Sequence, residues 1–307
     1  MEARLRARLV AAVLALTAAF LWATYYLFVL AVHRSTGASA ILFYPFAGGA
    51  AAYAVWVLRR GDGRRLVRLF TRPAAYLRVA LLLGMQVSVL AATYLTGPVD
   101  ASLLSLLGDV VATPVVVAGL YAEHRGELRS PWLILGLTLS LAGGTLAIAG
   151  GQGLSAVHDV GWAVVVAVPL FVAFFFVLSA RSGEDAPVSV VVAQSMLGVA
   201  AATVVIAPLL PGGFAALVQV GAYPLVLLLL NGLLSFFLAP LLYFRSLERA
   251  GLVFPPLLMT GIPVFTLLLS ASVLGLAPPW LGLLGVPIAV VGATVALTAG
   301  AREPAPA

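Results

Sequence analysis

One acidic side chain lies deep inside an apolar run of this sequence. Asp109 is the only Asp or Glu well within such a run, nine residues into the segment 101–121. Ser102, Ser105 and Thr113 are spaced from one another and from Asp109 by three or four residues, which places all four on one stripe of a helix. A carboxylate in a membrane interior costs about 3 kcal/mol, so it should face protein or water. The stripe predicts one wall of a polar cavity.

Two roles are open for Asp109. In the first, it binds a cationic group of a substrate or takes up the proton that couples transport, because burial favours the neutral form of a carboxyl group. In the second, a protonated Asp109 forms a hydrogen bond to a neighbouring helix and only stabilises packing. No basic residue lies at its depth in the sequence. A protonatable group is therefore favoured over a permanent ion pair.

Polar and aromatic side chains also occur inside the neighbouring apolar runs. Each either lines a pathway with Asp109 or joins helices through hydrogen bonds, which is the commoner role. The predicted substrate pathway consists of Asp109, Ser105, Thr113, Trp22, Tyr25, Tyr26, Gln86, Tyr94, Asn231, Ser235 and Tyr243. Pro114 and Pro263 fall in predicted mid-helix positions, where proline removes a backbone hydrogen bond. They are candidates for hinges or for fixed bends.

The elements that must position these residues are membrane-spanning helices. Of the 307 residues, 63% are hydrophobic and 9% charged, and the mean hydropathy is +1.12; soluble domains have about 25% charged residues. A spanning helix needs about 20 apolar residues. Ten runs meet this length, approximately 9–32, 39–58, 77–97, 101–121, 131–150, 160–180, 188–210, 223–244, 252–275 and 280–299.

The distribution of basic residues predicts the orientation. All 17 are Arg, and with the N-terminus in the cytoplasm every one except Arg34 lies in a cytoplasmic segment, as the positive-inside rule requires. Both termini are then cytoplasmic. The predicted loop from Arg59 to Arg78 meets anionic lipid headgroups, and Asp100 is expected at the outer surface. Because the net charge of +6 is spread over short loops, it does not indicate nucleic-acid binding.

An internal repeat divides the chain into residues 1–150 and 151–307, two halves of one membrane domain. At an offset of 149 residues identical types recur, and a one-residue gap aligns a further Pro-Trp pair. Five helices per half is an odd number, so the second half enters the membrane inverted. The predicted fold is all-α, with ten transmembrane helices in two inverted repeats. The matched positions are Tyr94 with Tyr243, Pro114 with Pro263, Gly143 with Gly292, Thr145 with Thr294, and Pro131-Trp132 with Pro279-Trp280.

Several of these stretches resemble the drug/metabolite transporter superfamily, in particular its ten-helix EamA-type members. The resemblance covers nearly the whole chain and is carried by the segments 20–22, 101–104, 114–117, 132–136, 143–144, 193–194, 243–251 and 263–265. The chain departs from the family pattern at 43–46, where Arg is common, and at 274–277, where Glu is common. The resemblance implies export or exchange of amino acids, metabolites or drugs through a cavity between the halves. The absence of Lys among the basic residues, with the high Ala and Gly content, indicates a high-GC bacterium, so a bacterial plasma membrane is expected.

Other functions fit the sequence less well. The three His lie at helix ends on both sides of the membrane, there is no Cys, and no two carboxylates share a depth inside it. An intramembrane enzyme, a metal site and a cofactor are therefore not expected. A sensor or assembly factor should carry a longer soluble tail. A lipid scramblase or flippase on the same fold stays open as an alternative. The expected partners are a small-molecule substrate, the lipid bilayer and a coupling proton, and the chain is a monomer or homodimer.

Overall fold

The computed structural model describes residues 2–108, 112, 130–150, 167–175, 186–250, 254–276 and 280–300. Within these ranges the chain is helical and contains no β-strand. The first part contains α1 (Glu2–Val32), α2 (Ala38–Arg59), α3 (Gly63–Leu69), α4 (Pro73–Thr96), α5 (Pro98–Leu107) and α6 (Pro131–Gly150). A helical segment at 167–175, here α7, follows.

The later part begins with α8 (Val188–Ile206), which ends in a 3₁₀ turn (Ala207–Leu209). It continues with α9 (Ala215–Val218), α10 (Ala222–Asn231), a π-helical segment (Gly232–Leu238) and α11 (Ala239–Ala250). The last helices are α12 (Phe254–Met259), α13 (Ile262–Leu274) and α14 (Trp280–Gly300).

Five helices are long and apolar enough to cross a membrane, which indicates a membrane protein. They are Leu9–Val32, Ala38–Arg59, Pro73–Thr96, Val188–Leu209 and Ala222–Arg249. Each coincides with a predicted span. The described parts of α5, α6, α13 and α14 contain shorter apolar helices. Proline opens α4, α5 and α6, where its missing N–H costs no helical hydrogen bond.

Helix α1 is central to the described part of the molecule. It packs against α11, α12, α13 and the π-helical segment, and also against α4 and α5. Helix α2 packs between α8 and the pair formed by α10 and the π-helical segment. The largest core cluster contains Tyr25, Tyr26, Phe46, Tyr53 and Phe236. The polar candidates on α1 and α10 therefore lie inside the helix bundle.

Glycine allows the helices to approach each other closely. A Cβ atom at Gly49 of α2 would meet Phe236 Cβ at 2.8 Å, and one at Gly232 would meet the carbonyl oxygen of Pro45. Helices α6 and α14 approach in the same way, because Gly136 and Gly143 lie against the backbone of α14. Small residues at such contacts are typical of membrane helices, where association depends on close van der Waals packing.

The helix that carries Asn231 changes its hydrogen-bonding pattern half-way along. Pro240 has no N–H, and in a regular α-helix its ring would clash with the carbonyl of Phe236. The turns before it widen into the π-helical segment Gly232–Leu238, an arrangement that is frequent at functional sites. The sequence predicts one apolar run here, and hydropathy carries no signal for the change in pattern.

Three sequence-based placements are wrong. The run 252–275 is two helices, because α12 ends at Met259 and α13 begins at Ile262, so Pro263 lies in the first turn of α13 and not in mid-helix. Arg78 does not belong to a loop; it lies within α4 and is 1% exposed. Asp100 is not at the surface; it lies in the first turn of α5 and is 6% exposed.

Candidate functional site

Tyr25 and Tyr26 on α1 form the centre of the candidate site. Both are buried, and their ring centroids lie 5.3 Å apart at nearly a right angle. Tyr25 also contacts the ring of Phe236 from the π-helical segment, with 5.7 Å between centroids. Edge-to-face contacts of this kind fix ring orientation. The two tyrosines are therefore held in place from the second half of the chain.

Tyr26 connects α1 to the polar stripe on α5. Its hydroxyl lies 3.2 Å from Ser105 Oγ. The Ser105 hydroxyl donates to the carbonyl of Ala101 at 3.1 Å, and a serine hydroxyl has one hydrogen. With that hydrogen directed at Ala101, Ser105 Oγ is free to accept from Tyr26. The contact brings two predicted pathway residues together from helices 79 positions apart in the sequence.

Ser235 joins the π-helical segment to α1. Its hydroxyl donates to the carbonyl of Leu21 at 2.9 Å, and the side chain is buried. Leu21 lies one turn before Tyr25 on α1, and Asn231 lies one turn before Ser235. Further along the same helix pair, Ser246 donates to the carbonyl of Ala11. These two bonds give an antiparallel register in which Asn231 is level with Tyr25.

Asn231 is the most unusual polar residue of the site. Its side chain is 0% exposed, and neither Oδ1 nor Nδ2 has a hydrogen-bond partner among the described residues. A buried polar group without a partner costs about 1–3 kcal/mol. Native proteins retain few such groups, and each calls for an explanation. The amide of Asn231 offers a donor and an acceptor at the depth of Tyr25.

The remaining candidates are distributed around this centre. Gln86 on α4 is buried, and its Oε1 has no partner in the described part of the chain. Trp22 packs against Tyr243 with 5.5 Å between ring centroids. Tyr94 is 41% exposed, and its ring centroid lies 5.7 Å from that of His33. The structure thus joins Tyr25, Tyr26 and Ser105 by direct contacts, and it places Asn231 and Ser235 on the helix packed against α1 at about the same level. Trp22 with Tyr243, and Tyr94 with His33, form separate contacts.

Asp109, Thr113 and Pro114 lie outside the described residues, so their predicted roles stay predictions. Gly108 and Ala112, on either side of Asp109, have π-helical hydrogen bonding. No group of three or more His, Asp or Glu that would hold a metal ion occurs in the described ranges.

Sequence reasoning missed the pairing of Arg78 with Gln194. The Arg78 guanidinium donates from one terminal nitrogen to Gln194 Oε1 at 3.2 Å, while its Nε has no partner among the described residues. Both side chains are buried. Arg78 lies one turn into an apolar helix, which is the only sequence signal that sets it apart from the other arginines.

Comparison with known proteins supports the fold alone. No protein-family model matches the chain, and no curated protein matches it either. A solved structure described as "Crystal structure of protein" is similar over 96% of this chain and 100% of its own, with a TM-score of 0.66 and 19% sequence identity. At this identity the likeness concerns the path of the backbone and not the function.

Proposed function

We propose that this protein is a secondary transporter of small organic solutes that works by alternating access, an exporter or exchanger of the EamA type. The observation that carries the proposal is Asn231. Its wholly buried amide has no partner in the described part of the chain. In a transporter, such an amide is available to bind the solute. Intramembrane polar groups that face a protein interior commonly mark a substrate pathway.

Discontinuous helices support the same proposal. The π-helical segment interrupts the helix from Ala222 to Ala250, and a break at Thr260–Gly261 separates α12 from α13. Both interruptions lie on helices that pack against α1. Transporters typically place binding sites where helices are broken, because backbone groups released from helical bonding become available to ligands. The proposed cavity lies between α1, α5 and these two helices.

A pattern of contacts between α6 and α14 supports the inverted repeat. Gly136 lies against Ala296, and a shift of 149 residues converts this contact into that between Gly285 and Ala147. The contact of Gly143 with Ala289 is converted in the same way into that of Gly292 with Ser140. Ser140 Oγ also donates to the carbonyl of Ala289, again 149 residues away. In the proposed architecture, the ten helices form two inverted halves with both termini in the cytoplasm.

Transport into proteoliposomes tests the function. The purified protein is reconstituted and supplied with a panel of amino acids, amines and sugars, with and without an imposed proton gradient. We expect saturable uptake of at least one solute class. The Asp109→Asn variant is expected to lose the proton-driven component and keep exchange. Coupled uptake that is unchanged in this variant would exclude Asp109 as the coupling group.

A parallel assay with fluorescent phospholipids addresses the scramblase alternative. In this assay the same proteoliposomes are treated with an impermeant quencher, which reads movement of lipid between leaflets. Lipid movement without solute uptake would overturn the transporter proposal. Uptake of solute without lipid movement is the expected result.

A further inference from the structure

An uncharged segment, residues 207–221, connects α8 to α10. It begins with the 3₁₀ turn Ala207–Leu209 and contains the short helix α9. No charged residue occurs in the sequence between Asp185 and Arg245, and Gln219 is the only polar side chain of the segment. Soluble domains have about 25% charged residues. The composition of this connection is therefore not that of a loop surrounded by water.

The backbone of the connecting segment is fixed to the start of α2. Ser39 Oγ donates to the carbonyl of Gly213 at 3.1 Å, and the Tyr44 hydroxyl donates to the carbonyl of Leu217 at 2.6 Å. These bonds satisfy two carbonyl groups that belong to no regular helix ladder. Partners from the protein are required for backbone groups at membrane depth, because lipid tails offer none.

The contacts with α2 determine the depth of the connecting segment. Helix α2 has 22 residues and is one of the helices long enough to cross a membrane. Its length of about 33 Å is close to the hydrocarbon thickness of about 30 Å, so Ala38, its first residue, lies near one boundary of the hydrocarbon core. A Cβ atom at Gly37 would meet Ala216 Cβ at 2.5 Å, and Tyr44 binds the segment about two turns further along. The segment therefore lies beside the first turns of α2 and not beyond its end.

Large apolar side chains of the connecting segment are exposed at this depth. Leu209 is 84% exposed, Phe214 52% and Val218 82%. Phe214 and Val218 lie four residues apart, which places them on the same side of one helical turn. Exposed Val205 in the last turn of α8 and exposed Tyr223 in the first turn of α10 continue the apolar surface onto the two spanning helices. The exposed surface of the segment is therefore continuous with surface that faces lipid.

We propose that the connecting segment is a membrane anchor that lies in the lipid interface, with the side chains of Leu209, Phe214 and Val218 inserted at the boundary of the hydrocarbon core. Interfacial segments bury their apolar side chains about 5–10 Å into this boundary. The partner is the lipid bilayer itself, because the segment is held at its boundary and carries no charge that would favour water. The anchor depends on the chain spanning a membrane and does not depend on transport.

Spin labels on single cysteines measure the depth of each side chain in proteoliposomes. The chain has no cysteine, so each introduced one is labelled uniquely. The test variants are Leu209→Cys, Phe214→Cys and Val218→Cys, and their exposed side chains can be replaced without disturbing packing. Val226→Cys provides a lipid reference, because Val226 is exposed on the spanning helix that begins with α10. Arg64→Cys, on the exposed side of α3, provides the water reference.

The readout is the ratio of collisions with oxygen, which concentrates in lipid, to collisions with a water-soluble nickel chelate. We expect the ratio at all three test positions to lie closer to that of Val226→Cys than to that of Arg64→Cys. A ratio equal to that of Arg64→Cys would place the segment in water and overturn the anchor. Labels that neither reagent reaches would show that a second copy of the chain covers the segment, which would overturn it as well.

Discussion

Replacing Asn231 by Leu tests the central observation on the candidate site. The side chain keeps the same number of heavy atoms in the same branched arrangement, but it loses its donor and acceptor. Because neither amide atom has a partner among the described residues, the substitution removes two unpaired polar atoms from the interior. The folded protein should then be at least as stable as the parent, while transport slows.

The magnitude follows from the two amide atoms. An unpaired buried polar group costs about 1–3 kcal/mol, and single hydrogen bonds between membrane helices are worth about 0.6 kcal/mol on average. Removing the two unpaired atoms therefore raises the free energy of unfolding by about 1–2 kcal/mol, if each is valued as in membrane proteins. The larger methyl groups offset up to about 1 kcal/mol of this gain by crowding the neighbouring turn. The expected net change lies between zero and about 2 kcal/mol of stabilisation.

Gln194 provides a matched control, because it is a second wholly buried amide with a known partner. It accepts a hydrogen bond from Arg78 at 3.2 Å, so Gln194→Leu leaves a buried guanidinium without that acceptor. This variant should be destabilised by about 1–3 kcal/mol. The same chemical change is thus expected to raise or leave unchanged the free energy of unfolding at Asn231 and to lower it at Gln194.

Reversible unfolding in mixed micelles with increasing SDS measures both free energies of unfolding, and the proteoliposome assay measures transport. We expect Asn231→Leu to be at least as stable as the parent and to transport about tenfold more slowly, as the loss of one solute hydrogen bond predicts. If this variant is destabilised as much as Gln194→Leu, the Asn231 amide is paired in the folded protein. Its role is then structural, and the reasoning on the site is refuted.

Three further predictions concern packing and the site. Gly143→Ala should lower the free energy of unfolding by more than about 2 kcal/mol, since its Cβ would meet the backbone at Ala289. Gly144→Ala should lower it by less than about 1 kcal/mol, since its Cβ would meet only the Leu107 side chain, with Cδ1 nearest at 3.2 Å. Equal thermal melting shifts of the two variants would contradict the α6–α14 contact. Gly275→Ala should lower the free energy of unfolding by about 1–2 kcal/mol, because Gly275 ends α13 in the left-handed conformation with φ of 64°. An unchanged melting temperature would argue against that helix cap. Tyr26→Phe removes the hydrogen bond to Ser105, so the free energy of unfolding in SDS should fall by about 0.6 kcal/mol. A fall of more than about 2 kcal/mol would mean that the hydroxyl has a larger structural role.

The apolar helices were predictable because membrane thickness selects for length and hydropathy together. The predicted span 188–210 corresponds to Val188–Leu209, and 39–58 corresponds to Ala38–Arg59. The contact of Tyr26 with Ser105 joins residues that the sequence marks only by type. Composition identifies such residues as polar and intramembrane, and only the packing of α1 against α5 brings them together.

The placements that failed depend on properties that hydropathy does not measure. The break at Thr260–Gly261 lies in an apolar run, and hydropathy scores side chains without reference to the backbone hydrogen bonds that begin or end a helix. Arg78 was assigned to a loop together with the other arginines from Arg59 onward, by the positive-inside rule. It is tolerated within α4 because Gln194, 116 residues away, accepts a hydrogen bond from its guanidinium. Asp100 is buried by neighbouring helices that the local sequence does not indicate.

The π-helical segment also fixes how the two ends of its helix are turned relative to each other. A π turn contains an extra residue compared with an α turn, so the segment Gly232–Leu238 acts as a one-residue insertion within a spanning helix. Because the wider turns take up that residue, the parts of the helix before and after the segment keep their facing, whereas a regular α-helix of the same length would rotate the later part by about 100° relative to the earlier part. Helix α10 and helix α11 both pack against α1, and they could not both do so after that rotation. The hydrogen-bonding pattern of this segment, and not only its residue types, therefore sets which faces of α10 and α11 meet α1.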